Sequence, residues 1–417
     1  MSANQTEATF PPTYLNGNYI KRALESHFNG ANVSSNKCKV QILECHWKRA
    51  TEDCENFCSV IYRANVHFHL HCAGAQNSNE KRELTVIVKD VNSDVAEEGS
   101  NEWAMYEHVL PEMQSILEKA AKKNQNGDAA IRPKLYANCL FCEHNEKEIY
   151  VLEDLNLTEY QSANRFIGMD LEEAKITLKK LAQFHAVSMK YIENFPTESA
   201  ALRPSTFDCE MDIENDGLDG IRASYNIVTE WIDFEDIAAK MHISVKKFDE
   251  CAKRIMRPER CNFKVITHGD LWSNNILIKY ATVEGMQVPH DAVFVDFQVG
   301  FVGSCGYDLN FFLNTSTQLN VLKLHRFELL RFYYTHLKET LKHLGTEAAA
   351  IPSWQMVLEE VRDLEFVGYY ALTCELPTCC MNRGISPDSP KIYESKRFLE
   401  MLRYGVDRLN ELGVLDL

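Results

Sequence analysis

The sequence lacks long apolar runs. Its 417 residues contain no stretch of about 18 uncharged apolar residues, which is the length that a membrane-spanning helix needs. The polar N-terminal segment also lacks the apolar run of a secretory signal. We therefore expect a soluble, cytoplasmic protein that does not insert into a membrane.

Positive charge is also scarce. Lysine and arginine number 44 against 60 aspartates and glutamates, and the formal net charge is −16. No basic stripe with interleaved aromatic residues relieves this charge, so binding to a nucleic-acid backbone is disfavoured. Any phosphate must instead meet positive charge locally, from one or two lysines, from backbone N–H groups or from a bound metal.

The 14 cysteines are not arranged as a zinc site or a disulfide framework. Cys139 and Cys142 form the only C-x-x-C pair, and a structural zinc site would need further ligands. With no secretory signal in the sequence, we expect reduced thiols. The neighbouring Cys379 and Cys380 are expected in the core.

What is present is an ordinary globular composition, with 45% hydrophobic and 25% charged residues. A chain of this length exceeds one comfortable core, so two lobes are expected. The first lobe contains strand patterns of period two at 58–72 and 83–91, a helical pattern at 101–123, and two further strands within 134–155. This order indicates an α+β lobe built on an antiparallel sheet.

The remainder of the chain is mainly helical in pattern. Residues 195–222 lack periodicity and suggest a functional loop or a partly ordered insertion. The helical period of 3.6 residues recurs in four segments: 170–193, 319–344, 352–373 and 391–412.

One short stretch, "VITHGDLWSNNILIKY" at 265–280, interrupts two buried-strand patterns with polar residues. His268, Asp270 and Asn275 have the spacing H-x-D-x4-N, and Asp296 follows the apolar run "AVFV". Kinases use this pattern, because phosphoryl transfer needs one carboxylate beside the attacking hydroxyl and further oxygen ligands for magnesium. We assign Asp270 to the hydroxyl, and Asn275 and Asp296 to the metal.

The segments "HGDLWSNNILIKY" and "VFVDFQVGFVGSCGYDLNFFL" resemble the ecdysteroid kinase-like family, also described as CHK kinase-like. This family lies in the aminoglycoside phosphotransferase and choline kinase branch of the protein-kinase-like superfamily. The resemblance implies a bilobal α+β fold, with a nucleotide-binding lobe at 1–152 and a helical catalytic and substrate-binding lobe at 153–417. Gly269 stands where protein kinases carry an arginine that reads an activation-loop phosphate, which suggests a small-molecule enzyme without that switch.

The same resemblance implies roles in the first lobe. "LTVIVKDV" is similar to the strand with the phosphate-contacting lysine, which is Lys89 here. Glu102 is the expected partner of that lysine and Glu107 the rival. "VLEDL" resembles the hinge, where backbone groups near Glu153 and Leu155 would meet adenine.

The phosphate loop departs from the family pattern. The family has G-x-N-[YF]-x-S, whereas this chain has Cys54 at the glycine position, with Asn56 and Ser59 retained as candidate nucleotide contacts. Cysteine does not give the backbone freedom of glycine. In the second lobe, the resemblance makes Asp308 a brace of the catalytic loop, and the helical pattern makes His185 a structural histidine.

The resemblance implies transfer of phosphate from ATP, with Mg²⁺, to a hydroxyl of a lipophilic small molecule such as an ecdysteroid or a hydroxylated xenobiotic. Two alternatives remain: a kinase for choline-like or aminoglycoside cations, and a catalytically weak pseudokinase-like ligand-binding protein. No obligate protein partner is evident, and the oligomeric state is not indicated.

Other patterns favour ordinary structure over function. His67, His69 and His71 share one strand face, but a solvated face is favoured over a metal site. The acidic stretch 209–219 lacks the EF-hand pattern. Four C-terminal aromatic residues could line a substrate pocket, although their helical spacing favours core packing: Trp354, Phe366, Tyr369 and Tyr370.

Overall fold

The computed structural model describes most of the chain: residues 11–30, 38–51, 58–72, 81–92, 100–123, 134–144, 147–205, 207, 218–255 and 258–416. The chain divides into two compact units. Unit 1 comprises residues 1–107 and 137–158, and unit 2 comprises residues 108–136 and 159–417. The lobe boundaries expected from the sequence stay a prediction. None of the helices within the described ranges is both long and apolar enough to cross a membrane.

Unit 1 is built on a five-stranded antiparallel sheet. The strands are β1 Cys38–Arg49, β2 Ser59–Cys72, β3 Lys81–Val91, β4 Cys139–His144 and β5 Glu148–Glu153. Their order in the sheet is β1-β2-β3-β5-β4, and the strands predicted at 58–72 and 83–91 pair directly as β2 and β3.

Alternation of side chains builds the core of unit 1. In β2, apolar residues from Tyr62 to Leu70 are buried at every second position, as expected for a strand with one covered face. Helix α1, Gly17–Asn29, begins at Asn16, whose side chain accepts hydrogen bonds from the N–H groups of Asn18 and Tyr19. Its apolar side belongs to the same core cluster as the sheet residues.

The predicted helical segment at 101–123 has three parts. Helix α2 spans Glu102–Ala104, a π-helical turn spans Met105–Val109, and helix α3 spans Leu110–Lys123. Pro111 is the second residue of α3 and lies two residues after the end of the π-helical turn.

The prediction of reduced cysteines is wrong for one pair. Cys38 and Cys72 form a disulfide, with their Cα atoms 4.1 Å apart. They lie directly opposite each other at the ends of β1 and β2, a closeness that depends on strand register and cannot be read from their separation in sequence. Cys379 and Cys380 are buried, as predicted.

Unit 2 is mainly helical. Helix α4, Leu171–Asn194, packs against helix α9, Leu319–His343. Helix α4 begins with a capping box in which Asp170 and Glu173 satisfy each other's backbone N–H groups. The helices of this unit after α3 are α4 Leu171–Asn194, α5 Pro196–Ala200, α6 Leu218–Thr229, α7 Glu235–Ile255, α8 Cys305–Thr315, α9 Leu319–His343, α10 Trp354–Asp363, α11 Glu365–Tyr370, α12 Leu376–Cys379 and α13 Lys396–Glu411.

Two small sheets hold the polar-interrupted stretch in unit 2. Strands β6 Tyr160–Ser162, β8 Ile276–Val283 and β9 Met286–Phe294 form a sheet in the order β6-β8-β9. Strand β7, Val265–Ile266, pairs with β10, Val302–Gly303. The polar residues between β7 and β8 are therefore fixed at both ends by strand pairing.

Two predicted segments differ in detail from the structure. The segment 195–222 contains helix α5 and the start of α6, while residues 206 and 208–217 lie outside the described residues. The helix predicted at 352–373 is broken at Leu364 and continues after Tyr370 as a π-helical turn, Ala371–Glu375. Trp354 and Tyr370 keep part of their surface, whereas Phe366 and Tyr369 are buried.

The histidine face of β2 lies near acidic side chains. His67 Nδ1 lies 3.8 Å from Glu44 Oε2, and His67 Nε2 lies 3.7 Å from Glu83 Oε1. Within the described ranges, no three His, Cys, Asp or Glu side chains are grouped so that they could hold a metal ion.

Candidate active site

The carboxylate of Asp308 holds the loop between β7 and β8 in place through hydrogen bonds. One carboxylate oxygen of Asp308 accepts from the N–H of His268 at 2.7 Å, and the other accepts from the N–H of Gly269 at 3.0 Å. Asp308 lies in the first turn of α8 and is fully buried. A buried carboxylate bound to two backbone N–H groups fixes the loop in one conformation.

Asp308 is itself held by a histidine. His185 Nε2 lies 3.0 Å from Asp308 Oδ2, and His185 Nδ1 lies 2.8 Å from the hydroxyl of Tyr333. Both side chains of this relay, His185 and Tyr333, are buried. The relay connects α4, α9 and α8 to the loop, so the histidine has the structural placement expected for it.

Gly269 is required by the loop conformation. Its φ angle is +84°, and a Cβ atom added there would lie 2.2 Å from the carbonyl oxygen of Val299. Any side chain would therefore be excluded both by the backbone angle and by the close approach. This is a steric reason, independent of any regulatory role, for the absence of an arginine at this position.

Asp270 and Asn275 are in direct contact. The amide nitrogen of Asn275 donates to the backbone oxygen of Asp270 and to its Oδ2 atom, both at 2.9 Å. Asp270 keeps part of its surface accessible, while Asn275 is 6% exposed. Because the amide nitrogen is engaged, Asn275 Oδ1 is the atom available for a metal.

Asp296 lies beside Asn275 in the fold. The N–H of Val295 donates to the backbone oxygen of Asn275 at 3.1 Å, and strands β8 and β9 pair at Ile276 and Phe294. Asp296 has a φ angle of +67°, a region that non-glycine residues rarely adopt and that is frequent at functional sites.

This donor set fits magnesium. Mg²⁺ is usually held by one or two protein oxygens together with water and substrate phosphates, not by a complete protein cage. Asn275 and Asp296 supply an amide oxygen and a carboxylate at neighbouring positions, which matches that chemistry.

Negative charge accumulates around Asp270. Burial raises the pKa of Asp270 well above its usual range, and the nearby carboxylates of Glu375 and Asp296 raise it further. No motif or spacing in the sequence pointed to Glu375. It lies at the end of the π-helical turn Ala371–Glu375, and the preceding pattern predicted an ordinary helix.

Aromatic side chains border the same region. The ring of Phe207 lies 4.8 Å from that of Tyr370 and 6.4 Å from that of Tyr307, measured between centroids. Phe248 lies 5.9 Å from Tyr370. Tyr307 is placed by the first turn of α8, next to the bracing Asp308. Because the hydroxyl of Tyr370 donates a hydrogen bond to Glu375 Oε1, this aromatic cluster adjoins the acidic region.

Unit 1 contains the predicted lysine pair. Lys89 Nζ lies 2.6 Å from Glu102 Oε2, and the two side chains are 4% and 1% exposed. Glu107, the rival, instead accepts from the thiol of Cys142 at 3.2 Å. A buried lysine with one short ionic contact is held in a single orientation.

The other nucleotide candidates of unit 1 are less tightly defined. Ser59 is buried at the start of β2 and pairs with Val91. Glu153 accepts from the N–H of Asn138 through its side chain at 2.7 Å, and Leu155 is buried in a short 3-10 helix. Asn56, together with the Cys54 position, lies outside the described residues.

The sequence matches the model of the ecdysteroid kinase-like family over residues 53–346. Among proteins of curated function, none matches significantly. The predicted family resemblance and α+β kinase-like fold class are confirmed.

Solved structures whose backbone is similar to that of this chain include two kinases and a phosphotransferase. An ethanolamine kinase from Plasmodium vivax has a TM-score of 0.39 at 12% identity, covering 95% of this chain and 89% of its own. An aminoglycoside phosphotransferase from Alicyclobacillus acidocaldarius has a TM-score of 0.34 at 12% identity, covering 84% and 90%. A choline/ethanolamine kinase family protein from Mesorhizobium loti has a TM-score of 0.31 at 10% identity, covering 82% and 89%.

Proposed function

Since the chain belongs to the ecdysteroid kinase-like family, we propose that it is a small-molecule kinase that transfers the γ-phosphoryl group of ATP to a hydroxyl of a lipophilic acceptor. One observation carries the proposal. The partly accessible Asp270 is fixed by Asn275 in a loop braced by Asp308, and Asp296 lies beside that loop. These are the residue types that phosphoryl transfer uses, in a rigid arrangement.

Asp270 orients the acceptor hydroxyl and accepts its proton as the acceptor oxygen bonds to the γ-phosphorus. The bond from that phosphorus to the β,γ-bridging oxygen breaks in the same step, and ADP leaves. Asn275 Oδ1 and the Asp296 carboxylate would hold Mg²⁺, which when bound neutralises charge on the phosphates. The hydrogen bonds from Asn275 keep the Asp270 carboxylate in one rotamer. Asp308 contributes by positioning the loop, and it has no direct role in the chemistry.

Unit 1 supplies the nucleotide contacts in this proposal. Lys89, oriented by Glu102, pairs with phosphate oxygens. Ser59 and Asn56 belong to the phosphate loop, and the backbone near Glu153 and Leu155 meets the adenine edge. These assignments rest on family membership together with the buried ion pair.

The aromatic cluster supports an acceptor with an apolar body. Phe207, Tyr307 and Tyr370 pack together in the same unit as Asp270, and Tyr370 keeps part of its surface accessible. Apolar walls with a few polar groups are typical of sites for lipophilic small molecules. A hydroxylated steroid or xenobiotic meets this description.

The test is phosphate transfer by the full chain with ATP and magnesium. The acceptors are a hydroxylated steroid panel and a cation panel of choline and an aminoglycoside, and product formation is followed by mass spectrometry. We expect transfer to steroid-type acceptors and its loss on chelation of the metal. Asp270→Asn should lower kcat by about a thousandfold, while the exposed Asp407→Asn serves as the matched control.

Three results would contradict the proposal. Transfer confined to the cation panel would favour the choline-like alternative. Binding of ATP without single-turnover transfer would favour the pseudokinase-like alternative. Equal activity of Asp270→Asn and the control variant would remove Asp270 from the reaction.

A further inference from the structure

Glu375 is a carboxylate that the phosphoryl-transfer machinery does not use. It ends the π-helical turn Ala371–Glu375 and keeps part of its surface accessible. Its Oε1 atom accepts from the hydroxyl of Tyr370 at 2.5 Å. Within the described parts of the chain, no lysine or arginine pairs with it.

The carboxylates of Glu375 and Asp270 interact electrostatically. The carboxylate of Glu375 raises the pKa of Asp270, after burial, more than Asp296 does. The same carboxylates act on Tyr307. Burial raises the pKa of the Tyr307 hydroxyl well above its usual value, and the charges of Glu375, Asp308 and Asp270 raise it further. The turn that ends in Glu375 packs against α8, which carries Tyr307.

A carboxylate that lies among aromatic side chains needs hydrogen-bond donors. Placing a carboxylate in partly apolar surroundings without a cation costs free energy, and one hydrogen bond from Tyr370 satisfies only one of its two oxygens. Turns of π-helix inside α-helical segments are frequent at functional sites. A ligand that brings a donor to the second oxygen would remove this deficit.

We propose that Glu375 is the second polar anchor of the acceptor site. Its free carboxylate oxygen accepts a hydrogen bond from a second donor group on the acceptor, while the reacting hydroxyl meets Asp270. This inference rests on the proposed kinase function and narrows its substrate class. The acceptor carries two polar groups, the second being a hydroxyl or a protonated amine, joined by an apolar body that meets the accessible part of the Tyr370 ring.

Glu375→Gln tests the anchor with little change in shape. The amide has one acceptor oxygen, which the Tyr370 hydroxyl already occupies, so its NH₂ group would face the donor of the acceptor. The measurements are KM and kcat for a monohydroxy steroid, a dihydroxy steroid and an apolar amino alcohol. Calorimetric binding of the same compounds provides a second readout.

We expect the variant to raise KM and the dissociation constant about tenfold for a compound with a second donor. Values for the monohydroxy steroid should stay within about twofold of wild type. A selective effect on the dihydroxy steroid identifies a hydroxyl as the donor, and one on the amino alcohol identifies an amine. Tyr370→Phe, which frees the oxygen on Glu375, should have a smaller effect.

Exposed Glu411 provides the matched control through Glu411→Gln. The anchor is overturned if Glu375→Gln changes all compounds equally, or changes none. It is also overturned if acceptor-independent ATP hydrolysis falls in parallel, because the residue would then be structural. If wild type transfers no phosphate, the proposed kinase function fails, while selective loss of binding in calorimetry would still support the anchor.

Discussion

Glu365 and Glu375 belong to the same C-terminal helical segment but have opposite electrostatic surroundings. Glu365 lies 2.7 Å from Arg326 Nη2 and 2.6 Å from Arg408 Nη2. Burial would raise its pKa, but the two arginines outweigh burial and lower it. Burial raises the pKa of Glu375, and its hydrogen bond from Tyr370 only partly opposes that.

We call a carboxylate closed when groups of the chain satisfy its charge, and open when they do not. Glu365 and Asp308 have their charge satisfied by groups of the chain itself, and their role is to hold helices and a loop in place. Burial and the neighbouring carboxylates of Glu375 and Asp296 raise the pKa of Asp270, and burial raises the pKa of Glu375. Strongly shifted pKa values of this kind accumulate at functional sites.

The largest effect on stability is expected at the closed carboxylate Glu365. Glu365→Gln leaves two largely buried arginines without their counter-charge, which should lower the free energy of unfolding by about 3 kcal/mol. Urea denaturation of unit 2 in the full chain, compared with the exposed Glu411→Gln, measures this. A loss below about 1 kcal/mol would show that the arginines find other partners.

The next largest effect is expected at Asp308. Asp308→Asn puts an NH₂ group against one of three donors: the N–H of His268, the N–H of Gly269 or the ring of His185. The free energy of unfolding should fall by about 2–3 kcal/mol, and kcat should fall together with it because Asp270 loses its fixed position.

Crystallography of Asp308→Asn, or hydrogen exchange at the amides of His268 and Gly269, would show whether the loop is released. Unchanged protection of these amides together with lost activity would contradict the bracing role, because Asp308 would then act on the reaction directly.

Local relations were the ones that sequence could predict. The pairing of Lys89 with Glu102, which the family resemblance implied, is present. The spacing of Asp270 and Asn275 also survives in the fold as a direct contact. Short-range motifs preserve such relations because their local backbone is fixed by the residues between them.

Glu375 could not be predicted, because its placement depends on irregular helix geometry. The pattern at 352–373 predicted one helix, whereas the chain bends at Leu364 and passes into a π-helical turn. A 3.6-residue period assigns faces wrongly across such a turn. The partnership of Cys38 and Cys72 escaped prediction for a related reason, namely strand register.

The contribution of the closed carboxylate Glu365 to the free energy of unfolding should depend on pH. The pKa of Glu365 is lower in the folded protein than its ordinary value of 4.5, so its contribution to stability is present above the unfolded pKa and is lost as pH falls through the folded pKa. The difference in unfolding free energy between wild type and Glu365→Gln should therefore shrink below about pH 4. A constant difference down to about pH 3 would mean that Glu365 stabilises the helices by packing and not by charge.

The smallest effect, and the opposite sign, is expected at the open carboxylate Glu375. Its pKa is raised in the folded protein, so ionisation costs stability as pH rises from the unfolded pKa through the folded one. Glu375→Gln removes that cost and keeps the acceptor oxygen for Tyr370, so the variant should match wild type in acid and exceed it by up to about 1 kcal/mol at neutral pH. The two difference curves, for Glu365→Gln and Glu375→Gln, should thus diverge with rising pH when both are measured by urea denaturation. If Glu375→Gln instead loses stability at neutral pH, a cation or a donor of the chain must satisfy Glu375, and the site around Asp270 would be closed like that of Glu365.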